Sequence, residues 1–189
     1  MKNQKIVILT ECAIMLALAS ALCAFTLFQM PLGGSVTPMS MLPIVLVSIK
    51  YGVKIGLPVS FLFSLVEFAM ARGKMFGWGL SSTAVIGTIS LDYILAFTVL
   101  GLAGLFRNKG MIGWFGGIAM VMALRFLCHF ISGLIIFGQW TPEGWSSVPY
   151  SLAYNSAYML PELAFTIIGA VILLKAPHVR RLFAPALVE

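Results

Sequence analysis

Charge is almost absent from the interiors of six apolar runs. Charged residues and Gly/Pro clusters set their limits at approximately Ile6 to Phe28, Met41 to Ile49, Ile55 to Ala71, Thr83 to Phe106, Met111 to Phe137 and Tyr150 to Leu174. A helix needs roughly 20 apolar residues to cross a bilayer, so most of these runs are of spanning length. Only 10% of the residues are charged and 60% are hydrophobic, against about one-quarter charged in an average soluble domain. A soluble globular fold is excluded. The expected fold is an all-α integral membrane protein of six transmembrane helices, one substrate-binding domain over residues 1–189. The spans consume most of the 189 residues, which leaves no length for an attached ATPase, and no GxxxxGK[ST] phosphate loop occurs. Any ATP-driven work must come from partners.

The second run is short: Met41 to Ile49 covers only ~14 Å of helix. It either recruits Ser35 to Ser40 or stops inside protein, since irregular backbone at membrane depth needs shelter. With the N-terminus inside, Lys2, Lys5, Lys50, Lys54, Arg107, Lys109, Lys175, Arg180 and Arg181 fall on the cytoplasmic side, against Arg72 and Lys74 outside. That asymmetry places both termini in the cytoplasm and the Gln29 to Ser40 and Gly138 to Pro149 loops outside. The net charge of +6 is spread as single or paired residues between runs, which is orientation chemistry and not a nucleic-acid stripe. Cys12, Cys23 and Cys128 sit in apolar runs without paired spacing; they read as small core residues, with no metal site or cofactor expected. Ala19, Ser20 and Ala21 resemble a signal cleavage site, but the run continues to Phe28, so it reads as a retained span.

Ionisable residues inside spans cost at least ~2.5 kcal/mol each at mid-bilayer, so each implies a partner, a cavity or a ligand. Glu67, Asp92, Arg125 and Glu162 stand out. Arg125 lies twelve positions from Phe137 and Glu162 twelve from Tyr150, which gives them equal depth and makes them candidates for a structural ion pair. Asp92 then has no evident partner, whereas Glu67 has Arg72 or Lys74 within reach outside. A carboxylate left unpaired in a desolvated site awaits a proton or a cation. On the fifth span His129 lies one turn outward of Arg125, and Ser132, Gly133 and Ile136 continue that face toward Phe137 and Trp140. On the sixth, Asn155, Tyr158 and Glu162 share a face, with Tyr150 and Tyr154 flanking it. Asp92, His129 and Asn155 are expected to converge on one externally open, ring-lined pocket. Trp78, Trp140, Trp145 and Tyr154 read as interfacial belt residues. On the first span Ala13, Ala17 and Ala21 form a small-residue strip suited to close helix approach, within the bundle or against a partner.

These residues lie in ordered motifs: MPLGGSVTPMSMLPI from Met30 to Ile44, SIKYGVKIGL from Ser48 to Leu57, LDYILAF from Leu91 to Phe97, RFLCHFISGLIIFG from Arg125 to Gly138 and YSLAYNSAYMLPE from Tyr150 to Glu162. Nearly end to end, the chain resembles the thiamin-specific substrate-capture subunits, or S components, of energy-coupling factor transporters. The resemblance implies a six-helix bacterial membrane protein that is not an enzyme. Such a protein binds thiamin from outside and is carried by a transmembrane coupling protein with two cytoplasmic ATPases. It also implies ligand contacts from Asp92, Tyr93, His129, Phe137, Tyr150 and Asn155, and gives the Ala13, Ala17 and Ala21 strip a docking role. Asp92 stands where some members carry Glu, Phe137 where some carry Trp, and a loop tryptophan of some members is replaced within Gly33-Gly34-Ser35.

Thiamin offers a fixed thiazolium cation, a flat aminopyrimidine and a hydroxyethyl tail. Asp92 can offset the cation or accept from the amine, Tyr93, Phe137 and Tyr150 can present ring faces, and His129 and Asn155 can hydrogen-bond. Three alternatives stay open: an S component for another vitamin, an intramembrane enzyme using Asp92 and His129 as acid and base, and a proton-coupled exporter of small cations built on Glu67 or Asp92.

Overall fold

A computed structural model describes residues 2–186. The Lys2 side chain, counted above on the inner side, lies outside the described residues. Eight α-helices are present among them: α1 (Lys2–Ala24), α2 (Met41–Tyr51), α3 (Val53–Phe76), α4 (Ser82–Thr88), α5 (Ala96–Thr98), α6 (Gly110–Ile135), α7 (Ser147–Lys175) and α8 (Pro177–Leu182). Between α4 and α5 the helix widens to i→i+5 bonding over Ile89–Leu95, and beyond α5 it tightens to a 3-10 form over Val99–Lys109. The chain is an all-helical, multi-pass membrane protein.

The first run does not stay helical to Phe28. α1 ends at Ala24, and Phe28–Gln29 (β1) instead pairs antiparallel with Ser35–Val36 (β2), Phe28 opposite Val36. Pro31 fixes the backbone at the second position of the connecting turn. Gly33 closes it with φ +99°, its amide 3.3 Å from the Met30 carbonyl. Only glycine adopts that conformation without steric cost.

The short second run is a helix that stops inside protein. Every residue of α2 except Lys50 is buried, so α2 is apolar all round because it is surrounded. At its far end the 3-10 segment lies directly on the α2–α3 corner. Ser48 Oγ donates to the Gly101 carbonyl and accepts from the Gly104 amide at 2.9 Å. A Cβ at Gly104 would stand 2.7 Å from the Ser48 carbonyl oxygen, so only glycine permits this approach. The C-terminal segment is strapped to the same corner, where Arg107 and the backbone of Lys50 both bond to Ala186. Lys50 also pairs with Glu11 of α1 at 2.5 Å, and Tyr51 donates to the same carboxylate.

Most basic residues thus collect at the end formed by the α2–α3 corner, the α6 start and α8. The hairpin, the α3–α4 connection and the α6–α7 connection form the opposite end. α1 packs on α2 and α3 but leaves a long apolar face outward, including Leu9, Ile14 and Leu18. Ala13, Ala17 and Ala21 are exposed on it as well, while Ala19 is fully buried. The three alanines are therefore not part of the internal packing.

Candidate substrate-binding site

At the hairpin end the helices enclose a cavity of about 280 Å³. Asp92, Tyr93, His129, Phe137, Tyr150 and Asn155 all line it. The widened helical stretch Ile89–Leu95 explains how the neighbours Asp92 and Tyr93 both reach the same space. The extra residue in that turn rotates the following side chains relative to a regular α-helix, a local distortion frequent at functional sites.

Asp92 is not partnerless. Its Oδ1 lies 2.8 Å from His129 Nδ1, and its Oδ2 accepts from Ser132 Oγ. His129 and Ser132 stand one turn apart on α6, so a single helix face grips both carboxylate oxygens. With Nδ1 directed at the carboxylate, a neutral imidazole would carry its proton there and leave Nε2 as an acceptor. Nε2 is buried and has no partner among the described residues. On α7, Tyr158 donates its phenol to Asn155 Oδ1 at 2.8 Å, and Asn155 Nδ2 donates to the Ser151 carbonyl at 2.8 Å. That network fixes the amide's orientation.

Aromatic rings make up much of the wall. Tyr150, Tyr154 and Tyr158 follow one another at helical spacing with ring centroids 6.0 and 6.1 Å apart. Phe137 meets Trp78 edge-on at 5.8 Å across the cavity mouth. Ring faces around a cavity that also contains carboxylates favour a flat cationic ligand.

The hairpin covers this space. Leu32 donates its amide to Tyr154 Oη at 3.1 Å. A Cβ on Gly33 would come within 2.6 Å of the Trp78 ring, and one on Gly34 within 2.5 Å of Tyr158. Beneath the cavity, Arg125 Nη1 and Glu162 Oε2 are 2.7 Å apart, with the pair 5% and 1% exposed. Thr37, just after the hairpin, donates to the other Glu162 oxygen at 2.7 Å, and the guanidinium stacks over Phe97 at 4.6 Å. The ion pair is thereby tied both to the hairpin base and to Phe97 of α5.

Several sequence readings need correction. Glu67 pairs with neither Arg72 nor Lys74: its Oε2 accepts from Cys23 Sγ at 3.0 Å, while Lys74 bonds to Gln29 Oε1 at 2.9 Å. Cys23 is accordingly a hydrogen-bond donor at the cavity wall and not a core filler. Trp78 and Tyr154 are cavity residues instead of belt residues, since the two glycines leave room for the loop to settle onto α7 and the Trp78 indole. Tyr158 and Glu67 line the cavity too. The spacing of Tyr150, Tyr154 and Tyr158 at every fourth position is the signal by which the α7 stripe is recognisable.

Comparison with known proteins agrees with this architecture. The chain is 34% identical over 181 residues to the thiamine transporter ThiT of Bacillus subtilis (strain 168), covering 89% of this chain and 86% of that protein. It is 24% identical over 189 residues to the thiamine transporter ThiT of Lacticaseibacillus paracasei, covering 92% and 89% respectively. The fold matches the solved structure of ThiT from Listeria monocytogenes with a TM-score of 0.73 at 22% identity, over 94% of this chain and 98% of that one. A family model described as thiamine transporter protein (Thia_YuaJ) matches residues 9–181, and the chain belongs to that family.

Proposed function

We propose that this protein captures thiamin from the outer side of a bacterial cell membrane as the S component of an energy-coupling factor importer. The observation that carries this reading is one cavity in which Asp92, His129 and Asn155 meet the rings of Tyr93, Phe137 and Tyr150. The cavity opens away from the end where Lys54, Lys109 and Arg180 gather. On the positive-inside rule we read that basic end as cytoplasmic, and with it both termini as inside, the binding site as outside and the bundle as six spans of which α2 is short. The relatives named as thiamine transporters support the choice of vitamin.

In this reading Asp92 supplies negative charge beside a fixed cation. His129 Nε2 accepts from the ligand's amine, and the aromatic wall stacks on its two rings. Release inward requires a transmembrane coupling protein and two cytoplasmic ATPases, with the exposed strip of Ala13, Ala17 and Ala21 as the surface that docks on the former. The test is to purify the protein in detergent, denature it, and identify the released small molecule by mass spectrometry. Thiamin at near one-to-one stoichiometry is expected; a different vitamin in its place would refute the assignment.

A further inference from the structure

A second cavity, of about 430 Å³, lies between α1 and α3 at the basic end and shares no lining residue with the first. Both helices start at that end and run side by side toward the hairpin, where Cys23 of α1 bonds to Glu67 of α3. The polar lining is confined to Gln4, Lys5 and Lys54 at the two helix starts. Beyond them the wall is apolar, with Ile8 and Cys12 on α1 and Ile55 and Val59 on α3. Cys12 and Val59 are buried and close the floor, whereas Leu9 is 71% and Leu62 49% exposed along the outer flank. In a membrane protein such an open apolar flank meets lipid. Neither lysine makes a hydrogen bond or ion pair among the described residues. Glu11, the only carboxylate on α1, is taken by Lys50 and Tyr51.

We infer that this groove is a binding site for an anionic phospholipid, with Lys5 and Lys54 on its phosphate and one acyl chain along the apolar wall. The lining runs from Lys5 to Cys12 and from Lys54 to Leu62, about 10–12 Å of helix, which is most of the ~15 Å depth of one leaflet's hydrocarbon. Charge at one end of a trough that opens sideways matches an amphiphile. A soluble phosphate compound would use the lysines and leave the trough unfilled. Two ammonium groups without a counter-charge select an anionic headgroup over a zwitterionic one, as basic pockets between spans do. The groove also lies apart from the small-residue strip. At 3.6 residues per turn, Ile8 and Cys12 turn toward α3 while Ala13 and Ala17 turn to the exposed side of α1, so a bound lipid leaves the strip clear.

The experiment is native mass spectrometry of the full chain, delipidated in detergent and titrated with dioleoyl phosphatidylglycerol, dioleoyl phosphatidylcholine and, as the headgroup alone, glycerol phosphate. Wild type should take up one phosphatidylglycerol about tenfold more tightly than phosphatidylcholine, and glycerol phosphate should not saturate it at the same concentrations. The double variant Lys5→Gln, Lys54→Gln should bind phosphatidylglycerol about tenfold or more weakly, each lysine beside an anionic headgroup being worth about fivefold. The double variant Lys175→Gln, Arg180→Gln removes as much charge from the same end but outside the groove, and should change that affinity less than about twofold. Equal binding of the two lipids by wild type overturns the inference, as does saturation by glycerol phosphate. Equal losses in the two double variants overturn it as well, since the attraction is then diffuse and not seated in the groove. All four substituted side chains are exposed, and because the wild-type preference decides the first point, a poorly folded variant does not rescue the idea.

Discussion

Asp92 and His129, on different helices, are joined through Oδ1 and Nδ1 at 2.8 Å, and this contact determines what the cavity presents to a ligand. The carboxylate holds the imidazole in one orientation through Nδ1 and leaves Nε2 buried, without a partner among the described residues. Asp92 therefore acts in two ways, as local negative charge and as the support that aims His129. Ser132 on the second oxygen restricts the carboxylate's own rotation.

Asp92→Asn should weaken thiamin binding by at least tenfold, since losing a desolvated charge partner costs ~2–5 kcal/mol in a closed site. Asp92→Glu should be milder, because it keeps the charge. The losses in Asp92→Asn and in His129→Gln should not add in the double variant, as the two side chains act as a unit. Calorimetry on the three proteins tests this, and strict additivity would separate their roles.

Arg125→Met and Glu162→Leu should each destabilise the fold by ~3–5 kcal/mol, the cost of stranding one member of a buried pair. The double variant should recover part of that loss in thermal unfolding. Thr37→Val should cost less, about 2 kcal/mol, the worth of one hydrogen bond to a charged carboxylate. If the double variant shows the sum of the single losses, the two charges are not stabilising one another.

Gly33→Ala and Gly34→Ala should act on the hairpin and spare the bundle. The first places a Cβ at φ +99° against Trp78, the second drives one into the Tyr158 ring. Both should speed thiamin dissociation several-fold in stopped-flow fluorescence while shifting the thermal midpoint little. Unchanged dissociation rates would mean that the hairpin does not retain the ligand.

Helix positions are legible because apolar run length and bounding charges are local properties, and counting from the helix ends puts Arg125 level with Glu162, in accord with their 2.7 Å contact. The partners of Asp92 and Glu67 were not legible. The widened turn at Ile89–Leu95 leaves no trace in hydropathy, so the direction of Asp92 toward Ser132 could not be counted from a helix end. The end of α1 at Ala24 and the register of Cys23 against Glu67 are settled by tertiary packing. Trp78 reads as a belt residue because the space that receives it is made by Gly33, more than forty positions earlier.

Ala13→Trp and Ala17→Trp should leave thiamin binding by the isolated protein intact, since both positions are exposed and away from the cavity. Uptake in cells carrying the coupling protein and both ATPases should collapse, because a bulky ring prevents the close approach that small-residue interfaces need. Co-purification of the partners should fall in parallel. Normal uptake in both variants would place docking on another face.

The central claim, a cavity selective for thiamin, is tested most directly by titrating the purified protein with thiamin and, separately, with other water-soluble vitamins while following tryptophan fluorescence. Trp78 lines the cavity, so saturable quenching by thiamin alone, at one equivalent, is the expected result. No response to thiamin together with saturation by a different vitamin would contradict the claim.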